Sequence, residues 1–352
     1  MLQTEYQLNK NNLLISTGKT GGHIFPAIIV TEKYLERNPG SKVFIVCFNK
    51  NIFTKFLSNK NVSYVIFKDW NGRNPKNILS NAFKIIKEIK KNNIKKVLIF
   101  GSYLAIPVIL ASILKGVYLF IHEQNVLPGK ANRFAQIFAR KIFITYPISV
   151  KYLISFVRKK IIITGCPTRK IDNSTIIRNN NDDVLIMGGS QGAESINNFI
   201  INNISGIENS NFQFRLITGV KNYERFNKRL SIKPKNLEII SFTEDIIRLM
   251  VKSKIIISRA GAITLSEISS SGKPSILIPF PYASENHQEI NAKYFQSNNA
   301  SILLKDSELL NKNTFQLIED LINDNDKLTD MGINALRLHR PDAEEKIVES
   351  IC

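Results

Sequence analysis

The residues with the most chemical potential in this chain stand at 255–292, IIISRAGAITLSEISSSGKPSILIPFPYASENHQEINA. An apolar run stops at Ser258-Arg259-Ala260-Gly261-Ala262, and helix-forming residues follow with Thr264 and Glu267 among them. The pattern predicts strand, small-residue turn and helix. At such a junction the unpaired N–H groups of the helix's first turn attract an anion such as a phosphate. Glu267, one helical turn further on, is placed to accept hydrogen bonds from a sugar diol. A second apolar run, 275–279, reads as the next parallel strand, and His287, Gln288 and Asn291 stand polar beyond its end. Gly261 alone would also suit an ordinary turn; the polar residues behind the second strand favour a ligand.

Three other stretches carry comparable chemistry. Gly188-Gly189-Ser190-Gln191-Gly192-Ala193 follows an apolar run and opens a helix at Glu194, so glycines, a hydroxyl and a helix N-terminus coincide, the stronger phosphate signal of the two glycine loops. The other, Gly18-Lys19-Thr20-Gly21-Gly22-His23, is not G-x-G-x-x-G. Residues 12–17 supply no upstream glycine for a triphosphate-binding cradle, and its glycines serve either a tight turn or an anion site. His122-Glu123-Gln124-Asn125 follows a strand predicted over 117–121; four polar residues at a strand end suit a polyhydroxyl ligand or a solvated loop.

The elements that must position these residues alternate regularly. Strands are predicted at 13–17, 42–47, 63–67, 96–100, 117–121 and 160–164, with helices at about 26–37, 53–58 and 78–92. After a polar linker at 170–183, strands follow at 184–187, 212–218, 237–241, 255–257 and 275–279, with helices at 194–204, 223–230 and 244–253 and a helical tail from 313. Alternating strands and helices imply parallel sheets, whose ligands gather at the carboxyl ends of the strands. The expected architecture is α/β, with two Rossmann-like doubly wound parallel-sheet domains facing a cleft: 1–166, and 167–341, with a last helix at 342–352 crossing back to the first. Each domain opens with strand, glycine-rich loop and helix, which suits a nucleotide diphosphate on one and an acceptor on the other.

With 352 residues, 43% hydrophobic and 22% charged, the chain reads as soluble and globular, large enough for two cores. A net charge of +19 and a pI near 9.7 point to anionic partners: nucleic acid, an anionic membrane or phosphorylated substrates. Heavy use of Lys, Asn and Ile accounts for part of that excess. Cys47, Cys166 and Cys352 lack metal-ligand spacing, so reduced thiols and a cytosolic setting are expected. The N-terminal MLQTEYQLNKNN has no apolar signal-peptide region. Residues 97–114 carry no charge and are long enough to cross a bilayer, but Gly101-Ser102 and Pro107 interrupt them where a strand-to-helix turn would fall. Ile78, Leu79, Ala82, Phe83 and Ile86 form an apolar stripe among seven lysines at 76–96, part core and part suited to an anionic lipid surface. Asp324-Asn325-Asp326 follows no strand and reads as a cap or turn, and no G-x-S-x-G elbow occurs.

Five motifs together, TGGHIFPA (20–27), HEQN (122–125), GGSQGA (188–193), SRAGAITLSE (258–267) and GKPSILIPFP with HQEINA (272–281 and 287–292), resemble the MurG family of peptidoglycan N-acetylglucosaminyltransferases. The resemblance spans nearly the whole chain in order. It implies a GT-B enzyme, peripheral at the cytoplasmic face of the bacterial inner membrane. That enzyme moves N-acetylglucosamine from UDP-N-acetylglucosamine to undecaprenyl-diphospho-N-acetylmuramoyl-pentapeptide with inversion, needing no metal or cofactor and no nucleic acid. It further implies Ser190 on the donor diphosphate, Arg169 on the nucleotide side and the Thr243 backbone at the uracil edge. Ala262, Ile263, Thr264, Leu265 and Ser266 would line phosphate and sugar, Glu267 would take the ribose hydroxyls, and Gln288 and Asn125 the N-acetylglucosamine. Thr20, Gly21 and Gly22 would approach the acceptor diphosphate. His23 is the implied general base, with His122 and Glu123 as rivals. Four positions depart from the family pattern: Lys19 and Ser102 stand where glycines are usual, Ala105 where serine is, and Cys166 where asparagine is. A UDP-N-acetylglucosamine 2-epimerase of the same architecture, or a non-catalytic sugar-nucleotide-binding protein, are the alternatives.

Overall fold

The computed structural model describes residues 11–57, 59–67, 70–72, 74–171, 183–189, 192–230 and 233–352. Most of the expected linker at 170–183, and Ser190, lie outside the described residues. The chain divides into two compact units, Met1–Thr168 with Pro341–Cys352, and Arg169–Arg340.

The first unit holds β1 (Leu13–Ser16), α1 (Gly21–Arg37), β2 (Val43–Cys47), α2 (Asn51–Phe56), β3 (Val62–Ile66), α3 (Pro75–Lys91) and β4 (Lys96–Ile99). After these come α4 (Ala105–Lys115), β5 (Tyr118–Glu123), α5 (Lys130–Ala135), β6 (Lys141–Ile144) and β7 (Ile161–Ile163). The strands form one parallel sheet in the order β3-β2-β1-β4-β5-β6-β7. Leu13, Leu14 and Ile15 are fully buried, as a strand covered on both faces requires. Leu14 joins the core beneath α3 and α4 while Leu13 and Ile15 join the one beneath α1. Sheet order reverses between β1 and β4, where ligands of such sheets bind.

The second unit repeats the plan with β8 (Asp183–Met187), α6 (Glu194–Asn202), α7 (Ile204–Asn209), β9 (Gln213–Ile217), α8 (Tyr223–Arg229), β10 (Leu237–Ile240) and α9 (Ile246–Lys252). It continues through β11 (Ile255–Ser258), α10 (Ala262–Ser271), β12 (Ser275–Leu277), α11 (His287–Ser297), β13 (Ser301–Leu303), α12 (Thr314–Asn323) and α13 (Asn325–Leu338). Its parallel sheet runs β10-β9-β8-β11-β12-β13, reversing between β8 and β11. The last helix, α14 (Ala343–Ile351), belongs to the first unit. It packs on α1, burying Ile347, Val348 and Ile351, and Arg37 pairs with Glu345 at 2.8 Å and Glu349 at 3.0 Å.

Several sequence expectations shift. Pro26 lies inside α1 rather than opening it. The helix starts at Gly21, where the Thr20 carbonyl accepts from His23 N (3.0 Å) and Ile24 N (3.2 Å), and the proline removes only the N–H that would reach Gly22. β5 continues through His122 and Glu123, because their side chains find buried partners. β6, β13 and α11 were not anticipated; the two strands have only four and three residues. The uncharged run at 97–114 divides into β4, a turn and α4. No helix among the described residues is long and apolar enough to cross a membrane. Asp324 accepts from Lys327 N at 3.0 Å as the cap of α13.

Ser102 has φ +69°, directly after Gly101 at +84°. A side chain in the left-handed region is strained, so the loop keeps a glycine's backbone path at a cost. Ser102→Gly is therefore expected to stabilise the protein by roughly 0.5–1 kcal/mol, the left-handed penalty less glycine's extra unfolded-state entropy. Urea unfolding would show this as a higher midpoint at unchanged slope; a lower midpoint would mean that the Oγ contact to Leu104 N outweighs the strain.

Candidate active site

In the second unit the residues expected to bind the donor gather where β11 passes into α10. Gly261 caps α10 without a side-chain hydrogen bond, and no acid stands in the first turn. Leu265 N is the first to bond back, to Gly261 O at 3.0 Å, so the N–H groups of Ala262, Ile263 and Thr264 point out of the helix end, where its dipole favours an anion. A Cβ on Gly261 would meet nothing nearer than Thr264 Oγ1 at 3.9 Å, which leaves the approach open. Leu265 and Ser266 are buried, and Ser266 Oγ donates to Ala262 O at 2.9 Å. Within 262–266 it is therefore the backbone and the Thr264 side chain that a ligand can meet.

Glu267, 3% exposed, lies behind this helix end. Its Oε1 accepts from Arg169 Nε (3.0 Å) and Nη2 (2.7 Å), while Arg169 Nη1 donates to Glu244 O at 3.0 Å. Burial pushes the Glu267 carboxyl above its ordinary range and Arg169 pulls it back. This guanidinium thus ties Glu267 to the backbone of Glu244, which follows Thr243, whose Oγ1 accepts from Asp245 N at 3.0 Å. With both Arg169 bonds on Oε1, Oε2 is the carboxylate's second acceptor.

Gln288 is the second residue of α11, and its Oε1 accepts from Phe280 N at 2.9 Å, which directs the amide nitrogen away from that contact. Glu285 and Asn286, just before it, both have positive φ. Asn291, fully buried, donates to Ala260 O at 3.2 Å and ties α11 to the β11–α10 loop.

Arg259 was given no role from sequence. Its Nη1 donates to Ile278 O and Pro279 O, each at 3.1 Å, and to Asp306; its Nη2 donates to Ser195 Oγ at 2.8 Å. It thus clamps the loops after β11, β12 and β13 to the start of α6. A charged residue two positions after the apolar run at 255–257 was the available signal.

In the first unit His23 stands in the first turn of α1, and its Nδ1 is 2.6 Å from Phe100 O. A carbonyl only accepts, so Nδ1 carries the proton and Nε2 is the basic nitrogen of the neutral ring. The glycines around it seat the imidazole. A Cβ on Gly18 would lie 2.4 Å from His23 Cδ2, and one on Gly101 would lie 3.6 Å from Cε1. Thr20 is exposed and Gly21 and Gly22 are half-buried at the uncapped start of α1.

Of the His122–Asn125 stretch, His122, Glu123 and Gln124 are buried rather than solvated, and Asn125 is half-buried. His122 is fully buried, with Nε2 3.0 Å from Gly165 O and Nδ1 accepting from Gln124 Nε2 at 3.1 Å. Glu123 Oε1 accepts from Asn125 N (3.0 Å) and Nδ2 (3.3 Å), and Oε2 from Gly129 N (2.9 Å) and Asn132 Nδ2 (2.8 Å). Both rivals to His23 are thus engaged in fixing the loop from β5 to α5. Asn132, buried against Gly101, was not singled out from sequence, and its setting in KANRFA gives no local signal. Cys166 is buried and its Sγ donates to Pro167 O at 3.8 Å.

Burial pushes His122 down from 6.5 to about 4. The unfolded chain then binds a proton that the folded one refuses, so stability is full above 6.5 and falls as pH drops toward 4. The loss is about 3 kcal/mol at about 1.4 kcal/mol per unit. Urea titrations at pH 7 and pH 4 measure it. His122→Gln should flatten that segment of the pH profile, and an unchanged acid slope in this variant would contradict the assignment.

Among the described residues no group of three His, Cys, Asp or Glu is placed to hold a metal ion.

Two parallel-sheet Rossmann-like units with glycine residues at their strand ends make up the GT-B architecture, and two family models give its class as glycosyltransferase. The glycosyltransferase family 28 N-terminal domain matches residues 13–144 and the family 28 C-terminal domain residues 183–347. The chain is 32% identical to the UDP-N-acetylglucosamine--N-acetylmuramyl-(pentapeptide) pyrophosphoryl-undecaprenol N-acetylglucosamine transferase of Finegoldia magna, with 97% of each chain covered. It is 34% identical to the protein of that name from a Sulfurihydrogenibium species, over 96% of this chain and 97% of that one. The chain belongs to this family of N-acetylglucosamine transferases. Among solved structures, Acinetobacter baumannii MurG superposes with a TM-score of 0.78 at 24% identity, covering 97% of this chain and 99% of that one. A Neisseria meningitidis UDP-GlcNAc 2-epimerase bound to UDP-GlcNAc superposes with a TM-score of 0.69 at 18% identity, covering 96% and 99%. Both show a shared fold.

Proposed function

We propose that this protein transfers N-acetylglucosamine from UDP-N-acetylglucosamine to the 4-hydroxyl of undecaprenyl-diphospho-N-acetylmuramoyl-pentapeptide, inverting the anomeric centre, in peptidoglycan synthesis. The observation that carries the reading is the donor constellation of the second unit, an uncapped α10 with Glu267 and Arg169 paired behind it, in a chain related end to end to transferases of that name. The N–H groups of Ala262, Ile263 and Thr264 take charge developing on the departing UDP diphosphate, a preorganised stabilisation of the kind that contributes most to such steps. Glu267 Oε2 accepts from the ribose hydroxyls, the Thr243–Glu244 backbone meets the uracil, and Gln288 holds the acetamido sugar. In the first unit, His23 Nε2 removes the acceptor hydroxyl's proton as it attacks.

An epimerase would need a carboxylate at the sugar, and Glu123, the candidate that the first unit's loops offer, already holds four hydrogen bonds. Incubation with UDP-N-acetylglucosamine and a lipid acceptor decides among the alternatives. Glycosylated lipid supports the transferase, 2-epimer the epimerase, and tight binding without product a non-catalytic role.

Peripheral attachment at the cytoplasmic face of the inner membrane follows from the same reading. On α3, Ala82 turns into the core and Ile78 and Ile86 are half-buried, while Leu79 and Phe83 are 55% and 63% exposed. Lys76, Lys84 and Lys87 stand exposed on the same helix, and Leu114 and Lys115 end α4, which packs on it. Each lysine near an anionic surface contributes about 1 kcal/mol. The protein is expected to float with anionic vesicles at low salt and to be released by high salt. The double variant Leu79→Ser, Phe83→Ser should bind more weakly, and salt-insensitive or absent flotation of the unmodified protein would refute the attachment.

A further inference from the structure

The second unit has a recess of about 610 Å³ between one face of α6, the segment that follows β12 and the segment that follows β13. Small-molecule sites usually enclose roughly 300–1,000 Å³. Among the described residues that line it, none belongs to 262–267 and none is Gln288, so it stands apart from the residues expected to hold the donor. One wall is aromatic. Phe280 and Tyr282 meet edge to face, 5.7 Å apart with their planes at 73°, and they are 42% and 84% exposed. The Arg259 guanidinium lies 5.5 Å from the centre of the Phe280 ring and supports one face of it. The facing wall is polar, with Asn198 and Asn202 one helical turn apart on α6 and Ser307 after β13.

The charges around the recess are matched within the protein. Asp306 accepts from Arg259. Glu289 accepts from Lys293 at 2.6 Å, and Lys293 first, then Lys305, holds its carboxyl below the ordinary range. Lys305 N in turn donates to Glu308 Oε2 at 2.6 Å. An anion entering here would compete with carboxylates already in place, and an apolar guest would cover Asn202 and Ser307 without giving them partners. An uncharged sugar ring meets both walls. Its C–H face lies on the aromatic pair, and its hydroxyls and an acetamido group exchange hydrogen bonds with the asparagine carboxamides, which both donate and accept.

We infer that this recess is a second carbohydrate site, taking an uncharged N-acetylated sugar ring, either free or as the sugar end of the glycosylated product. Only the product as a source rests on the transferase reading. The site shares a segment with the donor residues, since Phe280, in its aromatic wall, donates its N–H to Gln288 Oε1. A guest that fixes Phe280 therefore also fixes the Gln288 amide.

The probe is N-acetylglucosamine labelled with carbon-13 in its acetyl group, added to the whole protein with unlabelled UDP-N-acetylglucosamine in excess and no acceptor. Isotope-filtered saturation-transfer NMR should show saturable binding of the probe that further UDP-N-acetylglucosamine does not displace. Tyr282→Ala and Asn202→Leu, both at exposed positions, should each weaken the probe roughly tenfold while UDP affinity stays within about twofold. Di-N-acetylchitobiose binding more tightly than the free sugar makes the product end the occupant, and equal affinity makes it the free sugar. No saturable signal, displacement by UDP-N-acetylglucosamine, or binding that neither variant weakens overturns the site and leaves the transferase reading standing. Variant-sensitive binding of the probe in a protein that binds no UDP-N-acetylglucosamine upholds the site and counts against the transferase reading.

Discussion

His23→Ala is expected to lower kcat by roughly 10²- to 10⁴-fold, the usual contribution of a positioned general base, while UDP affinity stays unchanged. The attacking hydroxyl is a poor nucleophile until its proton is drawn away, and a neutral imidazole does this near pH 7 only if its lone pair sits on the correct nitrogen. The bond from Nδ1 to Phe100 O makes that choice, leaving Nε2 basic. His23 also belongs to the first unit whereas the donor residues belong to the second, so its removal spares the UDP site. Single-turnover kinetics and calorimetry with UDP on the same variant measure both halves. His23→Gln, which preserves a donor toward Phe100 O without a base, should be as slow as alanine. A variant that retains turnover, or loses UDP binding in step with turnover, would give His23 a structural role and return water as the proton acceptor.

The second large effect concerns Glu267→Ala, which should weaken UDP by roughly 1.5–3 kcal/mol, the range of charge-assisted hydrogen bonds. On the proposed reading the carboxylate acts twice: Oε2 would meet the ribose, and Oε1 holds Arg169, which in turn holds the Glu244 carbonyl next to Thr243. Loss of Glu267 is therefore expected to unseat the Thr243–Glu244 backbone proposed to meet the uracil as well. Glu267→Gln keeps an acceptor for the ribose but weakens the grip on Arg169, so its loss should fall between wild type and alanine. UDP affinity in calorimetry that is the same for all three proteins would defeat the assignment.

The features legible in the sequence were those set by local chemistry. The glycine loops, the small-residue turn before α10 and the apolar runs of β1, β8 and β11 announce themselves because backbone geometry and burial on both sheet faces constrain residue type directly. The roles of His122 and Glu123 were not legible, since a buried histidine and a catalytic one look alike until Gly165 O and Gln124 are seen on its two nitrogens. The same holds for Arg259, whose partners Ser195 and Asp306 lie 64 and 47 residues away along the chain. Ser102 shows the reverse: the substitution is visible in sequence as a departure, while the preserved left-handed backbone is visible only in three dimensions.

The return of α14 to the first unit orders the events of biosynthesis. Residues 169–340 form an uninterrupted unit, whereas the first unit includes Ile347, Val348 and Ile351 in the core beneath α1. A ribosome making this chain must finish the second unit before the first can close. Until then Lys33 and Arg37 lack the Glu345 and Glu349 carboxylates that later hold them, and the apolar face of α1 that α14 covers stays open to water. The nascent first unit is thus the stage at which a chaperone has a surface to hold, and a stop codon that removes α14 injures the half of the protein made first.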